Sequence, residues 1–157
     1  MLIRLANTRD AEDILALHKR SVAALCSASY SQEHISWWFH ERTSSIYSPA
    51  ISSGALWVAE VGGSLVGFVG ATEGEVTLLF VSPEHTGQGY ASQMLEHALA
   101  VAGSPRREVG VEATLNSVSF YRQHGFKEVG EQAFERGPGS LKYPTVSMRL
   151  GPTPTDA

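Results

Sequence analysis

Residues 75–102 read EVTLLFVSPEHTGQGYASQMLEHALAVA, and this stretch decides the fold. Its first seven residues, EVTLLFV, are dominated by β-branched and bulky apolar types and predict a strand ending at Val81. Ser82-Pro83 punctuates the exit, because proline restricts the residue before it and cannot donate to a ladder. From Ala91 to Ala102 the apolar positions 91, 94, 95, 98, 99 and 102 recur at helical spacing, and Gly103-Ser104-Pro105 provides the stop. Strand, glycine-bearing turn and helix in this order aim the unpaired backbone N–H groups of the first helical turn at a bound anion. Gly87 and Gly89 permit a sharp turn without β-carbons, and small Ala91 allows close approach, so a phosphate-bearing ligand is implied. Two glycines alone are more commonly a plain helix-entry loop, so the surrounding elements decide. The spacing GxGxxG is absent and no GKS or GKT follows, which argues against a dinucleotide fold or a nucleotide triphosphatase.

Working outward, MLIRLA predicts a strand, and Asn7 or Thr8 a cap for a helix carrying Ile14, Leu15, His18, Val22 and Leu25 at helical spacing. A second helix is predicted from Ser31 through SQEHISWWFHERT, with Pro49 closing that region. Gly62-Gly63 splits ALWVAEVGGSLVGFVGAT into a hairpin. Beyond the central helix, REVGVEA predicts a strand, Asn116 a cap for SVSFYRQH, and Gly125 the end of that helix. FKEVGEQAFERG and LKYPTVSMRL flank the turn GPGS, with Pro144 suited to an edge, a bulge or a strand start. The fold class is mixed α/β: a mixed, mostly antiparallel central sheet with flanking helices, in one domain over residues 1–150, with 151–157 as a flexible tail.

The 157 residues suffice for one core, and 43% hydrophobic with 18% charged residues is not the signature of disorder. Twelve Lys and Arg against sixteen Asp and Glu give a net charge of −4, with the basic residues scattered, so nucleic acid is not the expected partner. No apolar run is long enough to span a bilayer and no secretory leader is evident, which points to a cytoplasmic protein without a membrane partner. Cys26 is the single cysteine and the six histidines lack metal-ligand spacing, so no metal is expected. Cys26 falls on an apolar helix face and is assigned no role. A homodimer stays open.

The loop Thr86-Gly87-Gln88-Gly89-Tyr90-Ala91 after LLFVSPEH resembles the Q/R-x-x-G-x-G/A signature of the GNAT superfamily of acyl-CoA-dependent N-acetyltransferases, with Gly89 and Ala91 agreeing and Thr86 departing from Gln or Arg. VEATLNSVSFYRQHGF resembles the family's second pattern, a strand, an Asn-bearing turn and a helix ending in Tyr-x-x-x-Gly-Phe. The resemblance runs from Met1 to Leu150, its diagnostic part from Glu75 to Phe126. It implies acetyl-CoA as acyl donor, held by Thr86 to Ala91 and Asn116, with the pantetheine arm between two splayed strands and backbone donors near Phe80 and Val81 at the thioester. It also implies Tyr121 as the acid that protonates the departing sulfur and Glu75 as the base.

Amine acylation needs a neutral nitrogen, a positioned carbonyl and donors where oxygen gains charge. Glu112 and Glu73 compete with Glu75 as base, as do His34 and His40; Thr77 shares the face of Glu75. Trp37, Trp38 and Tyr30 are candidates for lining the acceptor pocket. The implied reaction is acetyl transfer to a small-molecule or peptide primary amine by direct attack in a ternary complex; the alternative is a noncatalytic acyl-CoA-binding regulator.

Overall fold

The computed structural model describes residues 1–152; the predicted tail at 151–157 falls mostly outside them. One seven-stranded sheet runs β1 (Leu2–Leu5), β2 (Leu56–Val61), β3 (Ser64–Thr72), β4 (Glu75–Val81), β5 (Val109–Thr114), β7 (Leu141–Leu150), β6 (Lys127–Arg136) across its width. Every neighbouring pair is antiparallel except β4 and β5. The helices are α1 (Ala11–Ser21), α2 (Gln32–Trp37), α3 (Ser48–Ser52), α4 (Tyr90–Ala102) and α5 (Val118–Gln123).

Each sheet face is covered by one main helix. Met94, Leu95, Ala98 and Ala102 of α4 pack with Val69, Val111 and Phe126, as the apolar spacing of α4 requires. On the other face Ile14, Leu15 and Leu17 of α1 meet Leu56, Val58 and Phe68. Buried on both faces, β3 must present little bulk to α4: a β-carbon at Gly67 would lie 2.6 Å from Met94 Cε and 2.8 Å from the Phe80 carbonyl oxygen. A third cluster joins Val22, Cys26, Tyr30, Trp38 and Tyr143 at the open end of the sheet.

Two irregularities create that opening. Gly70 pairs with Leu78 but Ala71 with Val76, so Thr77 is an extra residue that bends β4. The Thr77 hydroxyl occupies the space a β-carbon at Gly70 would need. In addition, β4 and β5 pair only at Glu75–Gly110 and Val76–Val111, after which β5 follows β7 to Thr114–Thr145 and β4 diverges. The inner edge of β4 from Thr77 onward is left without a ladder on that side.

Some local expectations change. Asn7 does cap, through Arg9, a 3-10 turn (Thr8–Asp10) that leads into α1. Leu25 belongs to a π-type turn, Val22–Cys26, that follows α1. The predicted second helix is confined to Gln32–Trp37, capped by Ser31. Pro49 lies in the first turn of α3, where its missing N–H is no loss, and does not end the region. Asn116 does not cap α5; it sits in a 3-10 turn, Leu115–Ser117, ahead of it. Pro144 lies inside β7, a strand with neighbours on both sides, and one residue beyond the last β5 pair. There the Tyr30 hydroxyl donates to the Pro144 carbonyl at 2.6 Å and accepts from the Leu115 N–H at 3.1 Å, closing the gap where the ladder stops.

Candidate active site

Two cavities, each of about 310 Å³, meet where β4 and β5 part. Leu79, Phe80, Thr114, Ser117 and Tyr121 line both.

The first cavity lies over the start of α4. Phe80, Val81, Thr86, Gly87, Gly89, Tyr90, Ala91 and Asn116 line it, while Gln88 is exposed outside it. Gly87 and Gly89 have φ of +73° and +81°, a region that side chains with a β-carbon rarely adopt, and the space a β-carbon would enter at either is open. Gly89 is the N-cap of α4 and offers no side chain to the free N–H groups behind it, which leaves them for an anionic ligand. His85 also lines this cavity, and its Nδ1 is buried without a hydrogen-bond partner among the described residues. Such a loop and an unsatisfied ring nitrogen suit a pyrophosphate-bearing cofactor.

Ser21, Leu25 and Cys26 complete the wall. Cys26, assigned no role from sequence, is 1% exposed. Burial pushes its thiol up to about 12, with the Asn116 side chain acting in the opposite sense, so it remains an inert thiol that packs against the cleft. Only the π-type turn at the end of α1 brings it here, and helical periodicity does not signal that turn.

The second cavity, on the α1 face, is lined by His18, Trp38, Phe39, Arg42, Thr77, Glu112, Tyr121, Phe134 and Arg136, among others. Glu112 stands on β5 just past the last β4 pair and accepts from the buried Thr145 hydroxyl at 3.2 Å. Tyr121 projects from α5 into the junction. It is 4% exposed, its ring lies 5.4 Å from that of Phe126, and burial raises its phenol above the usual tyrosine range. It is therefore protonated at neutral pH.

The candidates for the base do not all converge. Glu75 lies at the closed end of the β4–β5 pair, 45% exposed, with Oε1 3.7 Å from Arg149 Nη1 across Gly110, and does not line either cavity. The two strands are still paired where Glu75 stands. Glu73 pairs with Arg107 at the β3–β4 turn. His34 is held between Ser31 and the Lys142 carbonyl, and His40 approaches Glu41 at 3.7 Å. Of the acceptor-pocket aromatics, Trp38 lines the cavity, whereas Trp37 packs on Gly137 and Tyr30 bridges the strand ends.

In the sequence His18 is one of the residues at helical spacing on α1. It is 7% exposed among Phe39, Phe68 and Phe80, with Nδ1 2.7 Å from the Tyr47 hydroxyl and Nε2 unpartnered among the described residues. Burial, then the charges of Arg42 and Arg136, drive its pKa from 6.5 down to about 3. The unfolded chain thus binds this proton and the folded chain does not, so stability is full above about 6.5 and falls with pH toward about 3. Between roughly pH 7.5 and 5.5 this costs about 1.4 kcal/mol. Thermal or urea unfolding at the two pH values should show that loss in the native protein and a loss smaller by about that amount in His18→Gln.

Among the described residues no group of three or more His, Cys, Asp or Glu is placed to hold a metal, and no helix is long and apolar enough to cross a membrane. The family model described as an acetyltransferase (GNAT) domain matches residues 26–143. A peptidyl-lysine N-acetyltransferase, YjaB, of Salmonella typhimurium is 30% identical over 82% of this chain and 84% of its own. An uncharacterized N-acetyltransferase, YafP, of Escherichia coli is 29% identical over 80% of this chain and 81% of its own. Among solved structures, a GCN5-related N-acetyltransferase from Rhodopseudomonas palustris has the same fold, with a TM-score of 0.82 at 20% identity over 96% of this chain and 94% of that one.

Proposed function

The chain belongs to the GNAT acetyltransferase family, and on that premise we propose that it transfers an acetyl group from acetyl-CoA to a primary amine by direct attack in a ternary complex. The observation that carries this reading is the junction of the two cavities, one with a helix-N-terminal loop of open glycines and the other with an acid and a base candidate, with Tyr121 on the wall of both. Acetyl-CoA supplies the activated thioester. The chain supplies its pyrophosphate cradle from Thr86 to Ala91, with Asn116 alongside, and the unladdered edge of β4 at Phe80 and Val81 offers backbone N–H donors for the carbonyl.

Glu112 accepts a proton from the incoming ammonium, directly or through water, which frees the nitrogen lone pair. The N–C bond forms as the C–S bond breaks, and Tyr121 gives its phenolic proton to the leaving sulfur. The second proton of the acylated nitrogen passes, directly or through water, to the phenolate and restores it, and Glu112 releases its proton to solvent. Desolvation keeps the Tyr121 phenol protonated at neutral pH, so a proton is present at the junction when the C–S bond breaks.

The test is calorimetric titration with acetyl-CoA followed by assay of CoA release over an amine and peptide panel. Binding together with amine-dependent release is the expected result. Binding with no release over the whole panel would instead identify a noncatalytic acyl-CoA-binding regulator.

A further inference from the structure

The second cavity contains two guanidinium groups that the acetyl-transfer chemistry does not use. Arg42 comes from the turn after α2 and Arg136 from the end of β6, and both line the same 310 Å³ space as Glu112 and Tyr121. Neither is within ion-pair distance of a carboxylate among the described residues, although five of the chain's other arginines are. Arg136 is fixed with its guanidinium 4.8 Å from the centre of the Phe134 ring and Nη1 donating to the Glu135 carbonyl at 2.7 Å. Its Nε is buried without a hydrogen-bond partner among the described residues. An unsatisfied buried donor on a charged group is costly unless a ligand meets it.

The two charges also act on each other. Burial, and then the charge of Arg42, lower the pKa of Arg136, and both arginines depress His18 between them. Like charges held over one small cavity create a local positive field within a chain whose net charge is −4. Arginine forks match planar or tetrahedral oxyanions better than any neutral group. Glu112 provides negative charge in the same cavity, so the space is polarised to suit a molecule with a cation and an anion of its own.

We propose that the acceptor is a small primary amine that carries its own anionic group, a carboxylate or a phosphonate, with the anion on Arg42 and Arg136 and the amine toward Glu112. This rests on the acetyl transfer proposed above. A lysine side chain in a peptide brings no anion of its own to this pair.

The test measures kcat/KM with acetyl-CoA for the free L-amino acids, their carboxamides, aminoalkylphosphonates and a lysine peptide with blocked ends. At least one carboxylate or phosphonate acceptor should exceed its uncharged counterpart and the peptide by about tenfold to a hundredfold. The carboxylate and phosphonate arms distinguish the two anion types. Arg42→Gln and, separately, Arg136→Lys should each erode that ratio, mainly through KM. Acetyl-CoA titration of each variant reports whether it is folded, and Arg42, on a turn, serves if the β6 variant does not fold. Equal rates on carboxylates and carboxamides, or ratios untouched in a folded Arg42→Gln protein, would overturn the anion assignment and leave the acetyl-transfer reading standing. Acetyl-CoA binding without acetylation of any member would overturn both.

Discussion

Tyr121→Phe should lower kcat by about a hundredfold to ten-thousandfold, the range of general-acid assistance, with little change in acetyl-CoA affinity. The substitution removes one oxygen from a side chain whose ring is already packed against Phe120 and Phe126, at 5.2 and 5.4 Å between centroids, so the hydrophobic contacts survive. No hydrogen bond ties the hydroxyl to another of the described residues, and the cavity junction is what it faces, so its loss leaves no orphaned protein partner. A merely structural tyrosine would therefore tolerate phenylalanine with an unchanged rate. A leaving group that needs no proton separates the roles further: an activated aryl thioester of low thiol pKa should recover much of the lost rate in the variant. An unchanged kcat with chemistry shown to be rate-limiting would sink the assignment.

Glu112→Gln should cost on the order of a hundredfold or more in kcat/KM at neutral pH, and the loss should shrink as pH rises. Without the carboxylate only the already neutral fraction of the amine reacts, so the log of the rate should climb by about one per pH unit until the amine's own pKa is reached. The native enzyme should flatten earlier. Glutamine still accepts from Thr145, whose hydroxyl is 3.2 Å from Glu112 Oε1, so folding is preserved. Glu75→Gln is the matched comparison: beside Arg149 and outside both cavities, it should change activity less than about twofold and stability by about 1 kcal/mol at most. If Glu75→Gln gave the large, pH-dependent loss and Glu112→Gln did not, the roles assigned on cavity geometry would be reversed.

The contrast between these two glutamates marks where sequence reasoning stops. The strand–turn–helix of 75–102 is legible because it depends on local signals: an apolar run, glycines needing positive φ, and helical spacing over α4. Phe126 and the glycine that ends α5 are legible for the same reason. Which part of β4 faces the cleft is decided elsewhere, by the extra residue at Thr77 and by β5 leaving β4 to follow β7. Neither event has a local sequence signature, so residue types alone do not tell that Glu112 on β5 lines the cleft while Glu75 on β4 does not. Pro144 is illegible for a related reason: its strand has neighbours on both sides, but the residue lies where the β5 ladder has already ended and Tyr30 takes over. Arg42 and Arg136 carry no local signal, because a turn after α2 and the far end of β6 meet only in the folded sheet.

The most direct measurement of the central claim is transfer of an isotopically labelled acetyl group, followed by mass spectrometry of both the amine product and the intact protein. The account requires the label to appear on the amine with an equal amount of free CoA, and the mass of the protein to stay unchanged when the amine is withheld. Accumulation of labelled acetyl on the protein without amine, or CoA release with no labelled amine product, would contradict it.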